Sequence, residues 1–170
     1  PDGSAYSGNV KLNVGYLDPT SENFSNLIPG GDLQATTTNN TQTTLYSYGI
    51  IRVEMKSDAG ADLKIKSGNT SEITVDIPPS MEASAPATIP LWYYDDATGL
   101  WKEEGVATKN AQGDKYVGSV THFSEWNCDT PEGTATVRGL VVDCNGLPVP
   151  GINVKIGQAS ANTGADGKFE

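Results

Sequence analysis

Ile89-Pro90-Leu91-Trp92-Tyr93-Tyr94, then Asp95-Asp96-Ala97-Thr98-Gly99, then Leu100 to Ala107: this stretch reads as a β-hairpin and decides the fold. Side chains on a strand point alternately to its two faces. Ile89, Leu91 and Tyr93 therefore share one face, and Trp92 and Tyr94 share the other. Asp95 to Gly99 is a turn closed by glycine, and Leu100 to Ala107 pairs back.

The same period of two recurs outward from this hairpin. Val10, Leu12, Val14 and Tyr16 alternate with small or polar residues until Asp18-Pro19. Tyr48 and Ile50, then Ile51, Val53 and Met55, form a strand whose face switches, as at a bulge. Ala61, Leu63 and Ile65 make a further strand, ended by Ser67-Gly68-Asn69. Ile73, Val75 and Ile77 make another, stopped by Pro78-Pro79. After the turn Asn110-Ala111-Gln112-Gly113-Asp114, Lys115 to Trp126 reads as one long last strand. Pro29-Gly30-Gly31 and the Thr- and Asn-rich run from Thr36 to Thr44 read as loops or an exposed edge. Short strands with regular turns predict an all-β, antiparallel sandwich and no substantial helix.

The chain has 170 residues, enough for one or two small domains. Lys plus Arg number 11 against 21 Asp plus Glu, for a net charge of -10. Such an acidic surface repels phosphate backbones, so nucleic acid is not an expected partner. A single histidine excludes any site built on several. No apolar run is long enough for a membrane helix, and no secretory signal is visible. The chain opens at Pro1 rather than Met, which reads as a piece of a longer, processed protein.

Composition shifts near Asn127 to Gly133. This predicts a sandwich over residues 1–129, a linker over 130–133 and a second, partial β-module over 134–170. That module reads Gly139-x-Val141-x-Asp143, then Gly146-x-Pro148-Val149-Pro150-Gly151-x-x-Val154, then Thr163-x-x-Asp166-Gly167-x-Phe169. The pattern resembles the front half of a carboxypeptidase regulatory-like domain, a transthyretin-type sandwich common in bacterial surface proteins. It implies a linking module without catalysis. In the larger part, the run from Pro86 to Asp129, ending His122-Phe123-Ser124-Glu125-Trp126-Asn127-Cys128-Asp129, carries a second likeness. It resembles the sandwich that precedes such repeats in bacterial surface lipoproteins, the cartilage intermediate layer proteins and, more distantly, ZU5-type domains. Both resemblances imply an extracytoplasmic location, at the cell surface, membrane-anchored or periplasmic. They imply a protein or glycan partner there, besides the rest of the parent polypeptide.

His122, Phe123 and Ser124 are the candidate catalytic residues. ZU5-type domains cleave themselves between the Phe and Ser of such a tripeptide. If it lies on a strand, His122 and Ser124 share a face. The imidazole then acts as base toward the Ser124 hydroxyl, which attacks the Phe123 carbonyl. The resulting ester is split by water. The alternative is structural: His122 a satisfied polar residue, Phe123 a core residue, Ser124 a surface hydroxyl. Trp92, Tyr94 and Trp101 are candidates for a sugar-stacking platform, against the alternative of core and cross-strand packing. Asp95-Asp96, Glu103-Glu104 and Asp143-Cys144-Asn145 match no Ca²⁺-loop spacing, and no metal or cofactor is expected. Cys128 and Cys144 flank the expected linker. In an exported protein they are expected to form a disulfide. The reading as a whole is a non-enzymatic structural or interaction module. A self-cleaving domain and a glycan-binding module are the alternatives.

Overall fold

A computed structural model describes residues 4–132, 136–157 and 159–170. The larger part contains eight strands: β1 (Val10–Leu17), β2 (Gln34–Thr36), β3 (Gln42–Ser57), β4 (Ser71–Asp76), β5 (Thr88–Asp95), β6 (Leu100–Lys109), β7 (Lys115–Val120) and β8 (Glu125–Glu132). They form one hydrogen-bonded sheet in the order β1-β3-β8-β5-β6-β7-β4. Every pair along that path is antiparallel. The short β2 lies off it, antiparallel to β3 and parallel to β6. It closes a ring through β3, β8, β5 and β6. The sheet folds over so that β4 comes opposite β3, which makes the two layers of a sandwich from one sheet. The only α-helix among the described residues, α1 (Phe24–Leu27), is a single turn.

Two cores follow from the alternation. Ile89 and Leu91 enter the core between the folded-over layers, with Ile51, Val53, Ile73, Val75, Tyr116 and Trp126, and Tyr93 packs against it. Trp92 enters the second core inside the ring, with Trp101, Leu45, Ile50 and Phe24, and Tyr94 packs there. The hairpin register pairs Tyr94 with Trp101 and Asp95 with Leu100. One strand thus feeds both cores, as its two apolar faces require. Each buried aromatic contributes on the order of a few kcal/mol from area removed from water.

The expected face switch exists but lies before Ile50: Tyr48 shares the interlayer core with Ile51 and Val53, while Ile50 enters the other core and alternates normally with Ile51. The β3–β8 register shifts between Ser47 and Ile50. Gly49 sits in the bulge at φ 150°, and a Cβ there would lie 2.9 Å from Val75 Cγ1.

Four expectations need correction. Ala61 to Ile65 forms no strand; it makes one bridge, Asp62 to Lys56, because glycines at 60 and 68 fold the chain tightly on either side. The Thr- and Asn-rich run is partly strand: Thr36 and Gln42 to Thr44 are paired. Lys115 to Trp126 is two strands, β7 and β8, with Thr121 to Ser124 between them. Thr130, Pro131 and Glu132, expected in a linker, are the end of β8 and pair with Thr44 to Tyr46. Position 133 lies outside the described residues, as do 134 and 135 at the start of the second expected module.

The smaller part holds β9 (Gly139–Leu140), β10 (Asn153–Ile156), β11 (Ala159–Asn162) and β12 (Lys168–Phe169). They form two separate two-stranded pairs, β10-β11 and β12-β9. Thr163 and Gly167 are its only buried positions among the described residues. No helix is long and apolar enough to cross a membrane.

Candidate functional site

The β7–β8 connection places the His-Phe-Ser segment. Val120 and Trp126, both fully buried, pin its two ends. Trp126 Nε1 donates to the His122 carbonyl at 3.1 Å. The Ser124 carbonyl accepts from the Val53 amide at 3.0 Å, which carries the β3–β8 pairing one residue beyond β8. Phe123 packs against the interlayer core. The backbone of the tripeptide is therefore held at His122, Phe123 and Ser124 in turn.

The His122 ring lies 4.9 Å from both Tyr93, edge-on, and Trp126, tilted. Its Nε2 lies 3.9 Å from Glu104 Oε2. The other Glu104 oxygen accepts from Thr121 Oγ1 at 2.7 Å. Ser124 Oγ donates to the Glu125 carbonyl at 3.3 Å. Among the described residues no hydrogen bond joins His122 to Ser124. The segment is a connection and not a strand, so the two side chains do not share a strand face as expected. Of the catalytic expectation, the structure keeps the Phe123 anchor. It gives His122 to an aromatic and carboxylate clamp, and Ser124 to its own neighbour's carbonyl.

The other candidate residues are placed as follows. Trp92 and Trp101 are 0% exposed, so neither can stack on a sugar; their indoles donate to the Asp129 and Asp32 carbonyls. Tyr94 is half-buried and packs edge-on against Trp101, with centroids 5.5 Å apart. The sugar platform is thus corrected to a core. The ring closed by β2 covers the face on which these residues lie.

Cys128 and Cys144 are free thiols, and the expected disulfide is not formed. Cys128 points into the interlayer core at 0% exposure, while Cys144 is exposed in a turn of the smaller part. Burial pushes the Cys128 thiol well above its usual range. The carboxylates named as cation candidates have turn-forming work. Asp143 accepts from the Leu147 and Asn145 amides, which hold it below the usual carboxylate range. Asp95 is held down by Lys102 and by Thr98 in the hairpin turn.

Sequence reasoning missed one polar cluster. Ser47, Asn127 and Asp129 are each 0% exposed. Ser47 Oγ donates to Asn127 Oδ1 at 2.7 Å, and Asn127 Nδ2 donates to Asp129 Oδ2. Burial pushes Asp129 well above its usual range, against the opposing contacts from Ser47 and the Tyr48 backbone. The signal was the alternation of β8 itself. Trp126 and Cys128 face one core, so Asn127 and Asp129 must face the other.

The chain is 29% identical to cartilage intermediate layer protein 1 of Sus scrofa over 107 residues, which is 61% of this chain and 17% of that protein. No family model and no solved structure matches the chain. The likeness agrees in kind with the resemblance read from Pro86 to Asp129. It covers a small part of the relative's length.

Proposed function

We propose that this chain is a non-enzymatic structural and interaction module of an extracellular, surface-associated protein. The observation that carries the reading is the His122 clamp. A base poised for Ser124 would need its imidazole free to take that proton. Here the ring is packed between Tyr93 and Trp126 with Glu104 beyond it, and Ser124 Oγ is directed to the Glu125 carbonyl. The likeness to a protein named for a layer of cartilage supports an extracellular setting. The burial of both indoles in the aromatic set argues against glycan stacking.

Cleavage between Phe123 and Ser124 is the second reading, favoured by the tripeptide and by the core anchor of Phe123. Denaturing electrophoresis separates the two. The structural reading predicts one band for the 17.9 kDa chain after prolonged incubation at neutral pH. A fragment beginning at Ser124 overturns it.

A further inference from the structure

Eight large apolar side chains in residues 4–132 are substantially exposed, and five of them fall between residues 6 and 16. Val10, Leu12, Val14 and Tyr16 lie on one face of β1, 47%, 56%, 62% and 43% exposed. Their register partners on β3 are Ser57, Met55, Val53 and Ile51. Val53 and Ile51 are core residues, so the β1 row continues the inner face of the sheet. It is bare because the layers are unequal. With β4 opposite β3, no strand among the described residues covers the β1 row. Tyr16 marks where the layers still touch: its hydroxyl donates to the Asp76 carbonyl at the end of β4, 3.1 Å away. The open side of the sandwich is a step, with β1 overhanging by one strand and, among the described residues, no strand paired to the outer side of β4. Both strands also end the sheet, so each has an unpaired outer edge. Edges of this kind are normally blunted by proline, bulges or free lysines. β1 has no proline and no bulge, and its one lysine is drawn toward Asp58 at 3.8 Å.

We propose that this step is the contact surface of a closed dimer with a second copy of the chain. A two-fold axis along the strands sets the β1 overhang of each copy into the recess beside the other's β4. Each copy then gives β1 to the partner's β4 edge, and the two apolar rows face each other between continuous layers. Inner-face residues Val10, Leu12 and Val14 come beside the other copy's Ile73 and Val75. On the outer face Lys11 comes beside the other copy's Glu72, an opposite-charge pairing. The occupant is a second copy because one operation fills both recesses and both edges, the mark of an isologous contact. Pairing two β1 strands alone would leave the apolar rows uncovered. The contact rests on the edge geometry and is independent of the role proposed above.

Sedimentation equilibrium of the 170-residue chain at moderate salt, where repulsion between two acidic copies is screened, tests it. A reversible dimer is expected. Leu12→Lys and Val14→Lys are each expected to weaken it about 30-fold or more, by burying a charge at the centre of the contact. Both positions are exposed in the single chain, so circular dichroism and urea midpoints taken at concentrations where the chain is monomeric should not move. Lys11→Glu and Glu72→Lys should each weaken the dimer, and the pair together should restore it. A chain that stays monomeric to its solubility limit overturns the proposal. So does a dimer indifferent to the β1 variants, or one lost instead in Leu147→Lys of the smaller part.

Discussion

Replacing Trp126 by alanine should cost several times more stability than replacing His122, although the histidine is the residue that sequence marks out for chemistry. Trp126 is 0% exposed and is part of the interlayer core. Truncating such a side chain costs about 3–5 kcal/mol from lost transfer energy and the cavity left behind. The His122 carbonyl also loses its indole donor, which adds about 1 kcal/mol. His122 is 38% exposed in its side chain and meets Glu104 at only 3.9 Å. A pair of that kind contributes about 0–1 kcal/mol. Its edge contacts with Tyr93 and Trp126 contribute about as much again. His122→Ala is therefore expected to cost about 1–2 kcal/mol. Urea unfolding followed by far-ultraviolet circular dichroism gives both numbers, provided the slope is unchanged. If Trp126→Ala does not fold, Trp126→Phe keeps most of the ring, loses the donor and should cost about 1–2 kcal/mol. A His122→Ala cost equal to that of Trp126→Ala would refute the clamp as described. It would mean that the imidazole, and not the indole, holds the connection.

Three further outcomes are expected. Burial pushes the Asp129 carboxyl well above its usual range, so its contribution is complete below the unfolded value of about 3.9 and erodes as pH rises toward the folded value. Asp129→Asn cannot titrate, so thermal melts should show the variant gaining on the parent between pH 4 and pH 7; a parent that gains on the variant contradicts this. Gly49→Ala should destabilise by about 1–3 kcal/mol, since its Cβ meets Val75 Cγ1 at 2.9 Å and the Asp76 carbonyl at 3.1 Å; an unchanged urea midpoint would show that the bulge relaxes freely. A maleimide should label Cys144 in the folded chain and Cys128 only after unfolding without reductant, because one is exposed and the other buried; no reactive thiol in the unfolded chain would mean that the two do pair.

The fold was legible wherever one strand carries both its faces in its own residues. Ile89, Leu91 and Tyr93 against Trp92 and Tyr94 specify the hairpin and its two faces, while the core that buries Trp92 needs the ring closed by β2. The bulge was legible as a break in the period but not at its exact place: Tyr48 shares a core with Ile51 and Val53 across Gly49, and Ile50 and Ile51 face different cores. Alternation failed at Ala61 to Ile65 because period two marks an extended chain and not the partner it finds. It gave the strand at β1 but not its exposure, for the alternating apolar row there is bare. Burial there depends on how many strands the opposite layer has, and no local pattern records that number. The His-Phe-Ser segment was placed on a strand because Tyr116 to Trp126 is continuously strand-like in composition. The break at Thr121 is set by β7 pairing with β4 and β6 while β8 pairs with β3 and β5, a property of topology. Cys128 and Cys144 do not pair, because the alternation of β8 turns Cys128 into the core while Cys144 stays exposed in its turn.

The claim that the His122-Phe123-Ser124 connection is structural is tested most directly by a nucleophile challenge read by mass. Self-cleavage would pass through an ester between the Phe123 carbonyl and Ser124 Oγ, formed as the peptide nitrogen leaves. Hydroxylamine attacks such an ester at the carbonyl, releases the Ser124 hydroxyl and leaves a hydroxamate on Phe123. An intact chain mass, unchanged after folded protein is held in neutral hydroxylamine, is the predicted result. A fragment ending in Phe123 hydroxamate, with its complement beginning at Ser124, would contradict it.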